Sequence, residues 1–248
     1  MINLSNELIT NIDLINKLIS LFEKKNLPSS IIFSGPKGIG KATSAFYLVS
    51  KLLVNDPNKN YNKLIYSNTH PNVKYLVKEF DEKTGKHKNY ISVNQIRKLD
   101  NFIYQSSFEN LPKFIIIDSS DDLNNNSSNA LLKILEEPKP NTFFIIISNQ
   151  ISSLLPTIRS RSINFNFNAP NIDEFEKILS MNDINEIDNF NFLYKFSNKS
   201  PGIALQINSD KLNNLYSTII NILKLNDELI SDELIELSEY VKNFTIDE

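Results

Sequence analysis

Gly35-Pro36-Lys37-Gly38-Ile39-Gly40-Lys41-Ala42-Thr43 decides how this chain is read. It follows the apolar run Ile31-Ile32-Phe33 and opens a segment that carries Ala42, Ala45, Phe46, Val49, Leu52 and Leu53 on one helical face. Strand, glycine-rich loop and helix in that order are the setting a phosphate-binding P-loop requires. Gly35, Gly38 and Gly40 allow the backbone to turn its N–H groups toward an anion, and the helix start adds partial positive charge. Lys41 is placed to reach the β- and γ-phosphates of a nucleotide. One position departs from the pattern. After the lysine the motif requires Ser or Thr, whose hydroxyl binds Mg²⁺, and Ala42 stands there. Thr43 is a further candidate contact of the loop, but it lies about 100° around the helix and does not simply substitute. The phosphate cradle is present and the metal ligand is missing.

The composition narrows the function classes. The chain has 248 residues, enough for one α/β domain with smaller helical pieces. With 26 basic and 29 acidic residues the net charge is -3, so no global field draws it to nucleic acid or an anionic membrane. It has no cysteine, which excludes disulfides and thiolate metal sites. His70 and His87 fall in loop-like sequence without companions and read as surface or capping residues. No zinc is expected, because a tetrahedral site needs four ligands. Apolar runs such as residues 114–117 and 143–147 have strand length, and the N-terminus lacks a signal-peptide pattern. A soluble, cytoplasmic protein with no membrane partner is expected.

Along the chain, residues 8–22 place Ile15, Leu18, Ile19 and Phe22 at helical spacing, ahead of Asn26 and Pro28. Residues 55–71 are polar and punctuated, hence loop. Residues 73–77 read as a strand and 81–89 as a charged turn around Gly85. Ser92-Val93-Asn94-Gln95 is a capping box opening a helix with Val93, Ile96, Leu99, Phe102 and Ile103 inward. Lys113-Phe114-Ile115-Ile116-Ile117-Asp118 is an unbroken apolar strand ending in a carboxylate. Continuous hydrophobicity indicates burial on both faces, as in parallel sheets, and an Asp at the strand's C-terminal end lies on the ligand-binding edge. That placement suits a Mg²⁺ or water ligand. Ser119 follows, where a hydrolytic site would often place a general-base Glu. The helix at residues 129–137 stops at Pro138 with Glu136-Glu137 at its C-terminus, where the dipole disfavours them. Residues 143–149 form a second buried strand ending in Ser148-Asn149. Leu155-Pro156-Thr157-Ile158-Arg159-Ser160-Arg161-Ser162 then precedes an alternating strand at 163–167. Ala169-Pro170 is the clearest boundary, followed by helical segments at 175–179, 190–196, 203–207, 212–223 and 228–241.

The order of these motifs resembles the bacterial clamp-loader AAA+ subunits. Asn129-Ala130-Leu131-Leu132-Lys133-Ile134-Leu135-Glu136-Glu137-Pro138 and Leu155 to Arg161 carry the likeness, which covers residues 8–206. The resemblance implies an α/β AAA+ P-loop domain with a parallel sheet (1–168), a small helical lid (169–207) and a short helical collar-like segment (208–248). It implies that Gly35, Gly38, Gly40 and Lys41 form the Walker A element and Asp118 the Walker B aspartate. Ser148 and Asn149 match sensor 1. Arg161, within Ser160-Arg161-Ser162, matches an arginine finger that enters the neighbouring subunit's ATP site. Ser200-Pro201-Gly202 matches sensor 2, with Gly202 where hydrolysing subunits carry arginine.

Ala42, Ser119 and Gly202 together make the implied site degenerate, holding ATP or ADP without turning it over. The implied role is therefore a stator rather than a motor. Its implied partners are the gamma/tau and delta loader subunits, the sliding clamp indirectly, and primer-template DNA through the assembled complex. An ATP-hydrolysing gamma/tau-type subunit and a free-standing P-loop NTPase are the alternatives, and the same three positions count against both.

Overall fold

A computed structural model describes residues 8–53, 61–182, 184 and 190–207. The expected helices at 212–223 and 228–241, and with them the collar-like segment 208–248, lie outside the described residues. The first helix, α1 (Ile12–Glu23), starts four residues later than its apolar spacing suggests. Then come β1 (Ser30–Ser34), α2 (Lys41–Leu52) and α3 (Asn62–Tyr66). A short helix thus stands inside the stretch read as loop, because Ile65 is fully buried against the core and pulls one turn of chain into register.

β2 (Val73–Leu76) follows, and the charged turn around Gly85 closes a small hairpin of β3 (Phe80–Asp81) and β4 (Lys86–His87). The capping box is formed as expected at the start of α4 (Val93–Tyr104): the Gln95 N–H donates to Ser92 Oγ, and the Ser92 N–H donates back to Gln95 Oε1 at 2.9 Å. β5 (Lys113–Ile117), α5 (Asn125–Glu136) and β6 (Thr142–Ser148) complete the centre. α5 begins ahead of its leucines because Asn124 caps it, accepting from the Ser127 N–H at 2.9 Å. α6 (Pro156–Ser160), β7 (Ile163–Asn166), α7 (Ile172–Ser180), α8 (Phe190–Phe196) and α9 (Pro201–Ile207) follow.

The five long strands form one parallel sheet in the order β2-β5-β6-β1-β7. The unbroken apolar runs are explained by this sheet. Along β5, Phe114 and Ile116 enter the core under α1 and α2, whereas Ile115 and Ile117 enter the core under α4 and α5. β6 alternates likewise, Ile145 and Ile147 to one side, Phe144 and Ile146 to the other. Both faces of β5 and β6 are covered over residues 114–117 and 144–147, which is why those runs are apolar without a break. A separate small core of Phe175, Leu179, Leu193 and Ala204 joins α7, α8 and α9.

Two polar residues are deeper than their sequence setting suggests. His70, expected at the surface or as a cap, is 2% exposed. Its Nδ1 accepts the Asn72 N–H at 3.1 Å, and its ring packs edge-on against Tyr61. Packing against Tyr61 and Phe108 accompanies this burial, which leaves Nε2 without a hydrogen-bond partner among the described residues. Burial accordingly lowers its pKa, with Glu109 opposing. His87 is exposed, as expected.

Lys113, at the first position of β5, is 5% exposed and pairs with no carboxylate among the described residues. Its Nζ donates instead to the carbonyls of Phe102 (2.6 Å), Ile103 (3.2 Å) and Gln105 at the end of α4. α4 carries no basic residue in its own last turn, so a lysine from a neighbouring strand answers its orphan carbonyls and the negative end of its dipole. Lys113→Met keeps the apolar stem and removes the donors. It should lower unfolding free energy by about 1.5–3 kcal/mol in urea titration, the range for hydrogen bonds to a charged group.

Candidate functional site

The strand order brings the three candidate elements together. β6 lies between β5 and β1, and all three run the same way. Their C-terminal ends therefore present Asp118, then Ser148-Asn149, then the glycine-rich loop, in a row along one edge. β1 also lies beyond β5 and β6 from β2, its successor in sequence, so the crevice opens where an α/β sheet binds ligands.

Lys41 is the first residue of α2 and is only 4% exposed. Its Nζ donates to the carbonyls of Gly35 and Pro36, both at 2.6 Å, and to Asn149 Oδ1 at 2.9 Å. Burial lowers its pKa to about 8, against the opposing charges of Asp118 and Asp121. From Asn149 the hydrogen bonds continue. Its Nδ2 donates to Ser119 Oγ at 3.2 Å, and Ser119 Oγ donates to Asp121. Asp121 also accepts from Ser148 Oγ (3.0 Å), the Asn149 N–H (2.6 Å), the Gln150 N–H (3.2 Å) and Ser153 Oγ (2.6 Å). Burial pushes this carboxyl up, but the hydrogen bonds from Ser119, Ser153, Asn149 and Gln150 outweigh it and hold the pKa low. Asp118 faces the other way and accepts the Tyr75 hydroxyl at 2.8 Å. Burial raises the pKa of Asp118, against the Tyr75 bond and the Lys41 charge. It also raises that of Tyr75, helped by the Asp118 charge.

The other wall of the loop is backbone. Gly38 has φ +77°, and its carbonyl accepts the Gly202 N–H at 2.9 Å. A Cβ on Gly38 would stand 2.3 Å from Ser200 Oγ; one on Gly202 would stand 2.9 Å from the Gly38 oxygen and 3.0 Å from its Cα. Glycine at both positions is what lets the start of α9 lie directly on the loop. The residues present do not fit a Mg²⁺-nucleotide. Position 42 has no hydroxyl, the lysine is turned into its own loop, and the face of Gly38 is covered by α9. Thr43 is half-buried one position along α2. Among the described residues no group of three or more His, Cys, Asp or Glu is placed to hold a metal ion.

Arg161 is not part of this edge. It caps the C-terminus of α6 and precedes β7, whose Ile163 pairs with Ile31 near the start of β1. The P-loop follows the end of β1, so roughly 13 Å of strand at about 3.3 Å per residue separates the two. Its side chain is 36% exposed. Nη2 pairs with Glu136 Oε1 at 3.0 Å and Nη1 donates to the Thr157 carbonyl at 3.1 Å. Ser162, beside it, shares a 2.7 Å hydroxyl contact with Ser30.

Residues 10–171 match the family model described as DNA polymerase III, delta subunit. The chain belongs to that family. Among curated members of the delta line, a delta-prime subunit of Pseudomonas aeruginosa is 36% identical over 136 residues, 52% of this chain and 40% of that protein. A delta-prime subunit of Buchnera aphidicola is 30% identical over 181 residues, 68% of this chain and 53% of that one. The chain thus spans about half, or less, of the length of these delta-prime relatives. A gamma-subunit-related protein of Thermotoga maritima superposes with TM-score 0.53 at 19% identity, covering 89% of this chain and 69% of that one. That likeness supports the α/β P-loop fold read from the sequence. No helix among the described residues is long and apolar enough to cross a membrane.

Of the site residues expected in this delta-family chain, Gly35, Gly38, Gly40, Lys41, Asp118 and Asn149 lie along one sheet edge, and Arg161 lies apart. Sequence reasoning missed Tyr75, Asp121 and the partner of Arg161. Tyr75 lies mid-strand with no motif, and Asp121 is one of two adjacent aspartates with nothing to tell them apart. The Glu136-Glu137 pair did give a signal, two carboxylates at an unfavourable helix end, and Glu136 is the partner.

Two measurements test this geometry. Gly202→Ala should separate α9 from the loop and destabilise the chain by about 1–3 kcal/mol, the cost of overpacking; limited proteolysis should then cut the segment between α7 and α9 faster. Lys41 holds its proton less firmly folded than unfolded, so the unfolded chain binds more protons between pH 8 and 10.5 and stability contributed through this residue rises with pH there. Relative to Lys41→Met, the parent chain should gain unfolding free energy as pH is raised through that window.

Proposed function

We propose that this chain acts as a delta-prime-type stator of a DNA polymerase III clamp loader, helping to open a ring-shaped clamp and close it on primed DNA. The observation that carries the reading is the separation between Arg161 and the chain's own loop. An exposed guanidinium at the sheet's opposite edge has no reacting group of its own to serve, but suits a phosphate presented by a neighbouring subunit. Membership of the delta family and the names of the delta-prime relatives support the same assignment.

In this reading residues 1–168 form the AAA+ domain, 169–207 the lid and 208–248 a collar-like segment. Gamma/tau and delta subunits are the direct partners, the clamp and primer-template DNA are met through the assembly, and the compartment is the cytoplasm. The P-loop is a structural remnant. To hold ATP or ADP, Lys41 would have to leave the Gly35 and Pro36 carbonyls, and α9 would have to lift from Gly38. Even then Ala42 offers Mg²⁺ no ligand and Ser119 is committed to Asp121. Gly35, Gly38, Gly40, Thr43, Asp118 and Asn149 would line such a site without turnover. The chain's own chemistry is limited to Arg161, which neutralises charge developing on a γ-phosphate next door.

Alone, the chain should show no Mg²⁺-dependent ATP hydrolysis above background. In the reconstituted loader, Arg161→Ala and Arg161→Lys should both reduce DNA-stimulated hydrolysis and clamp loading while assembly persists, because lysine lacks the planar fork. Fingers of this kind are worth roughly 10³–10⁵ in rate at the site they serve, diluted here by the other sites. Arg159→Ala is the control. Full activity with Arg161→Lys, or greater damage from Arg159→Ala, would refute the assignment.

A further inference from the structure

Glu136 and Glu137 stand at the C-terminal end of α5, where the helix dipole and the last free carbonyls repel a carboxylate. Glu136 is half exposed and is not held there by burial; it meets the guanidinium of Arg161 at 3.0 Å, while the Thr157 carbonyl takes a second donor of the same fork at 3.1 Å. A carboxylate and a peptide oxygen therefore occupy the two Nη nitrogens, the pair best suited to grip two oxygens of a phosphate. Glu136 cannot keep its place when a phosphate arrives. A carboxylate fixed beside the γ-phosphate would set like charges a few ångströms apart, and the guanidinium would be shared rather than transferred.

We infer that Glu136 parks Arg161: it acts as an internal stand-in for the phosphate, holding the finger against α5 until a nucleotide-loaded neighbour takes it over. The inference rests on the reading of Arg161 as a trans-acting finger and concerns how that finger is regulated. Exchange is feasible because the pair is exposed. Pairs of this kind are weak, so a triphosphate carrying several charges displaces the carboxylate readily. Parking makes docking depend on what the neighbour holds, since a nucleotide without a γ-phosphate offers less in exchange.

The test measures binding of the full chain to the loader's ATP-hydrolysing subunit, loaded with a non-hydrolysable ATP analogue or with ADP. Glu136→Gln removes the charge and keeps the shape. Affinity for the analogue-loaded neighbour should rise about two- to fivefold, the range released by breaking an exposed ion pair. Affinity for the ADP-loaded neighbour should not change. The gain should shrink in high salt, as screening already weakens the pair, and vanish in an Arg161→Ala background. Glu137→Gln, which removes a carboxylate without an ion pair among the described residues, should leave both affinities unchanged. If Glu136→Gln lowers the affinity, leaves it unchanged or raises it equally with both nucleotides, while Arg161→Ala weakens only analogue-loaded binding, the parking role is refuted and the finger stands. If Arg161→Ala does not distinguish the two nucleotides, both fall together.

Discussion

The ammonium of Lys41 is the point on which this site depends. It is nearly inaccessible to water, so its charge must be answered by oxygens inside the fold. Three supply that answer: two carbonyls of its own loop and the amide of Asn149, with Asp118 and Asp121 contributing their field from further off. In an open phosphate site this charge would be left for an anion. Here two carbonyls of the loop and the Asn149 amide take that place, and the ammonium ties the loop after β1 to the turn after β6.

The rest of the edge follows from that tie. Asn149 can reach Lys41 only if the turn after β6 is fixed, and Asp121 fixes it by gathering five donors from Ser119, Ser148, Asn149, Gln150 and Ser153. Ser119, at the position a hydrolytic enzyme would give to a general base, is a linker that accepts from Asn149 and donates to Asp121. With Gly202 against Gly38 closing the other wall, the loop is held from both sides. Polar contacts of this density are costly to break singly.

The ion pair of Arg161 and Glu136 lies at the other end of the sheet's strands. Arg161 and Glu136 come from α6 and α5, two elements that end near the N-terminal ends of the strands, and neither touches the P-loop edge.

The sequence by itself determined the sheet and the order of its parts. Unbroken apolar runs at 114–117 and 143–147 indicate strands buried on both sides, and the Ser92 capping box is a local interaction visible in four residues. It also placed Asp118 and Asn149 at strand ends, where hydrophobicity stops, and Lys41 at the start of the helix after the glycine-rich loop. Tertiary structure alone decided where their side chains point. Lys41 turns to its own loop's carbonyls, His70 sinks into an aromatic cluster, Lys113 caps the end of α4, 8 to 11 residues before it in sequence, and Arg161 meets Glu136. Each of these pairings joins residues distant in sequence or chooses among several partners within reach. Local propensity and periodicity carry no information on that choice; it is settled by which charges are left without water once both faces of the sheet are covered.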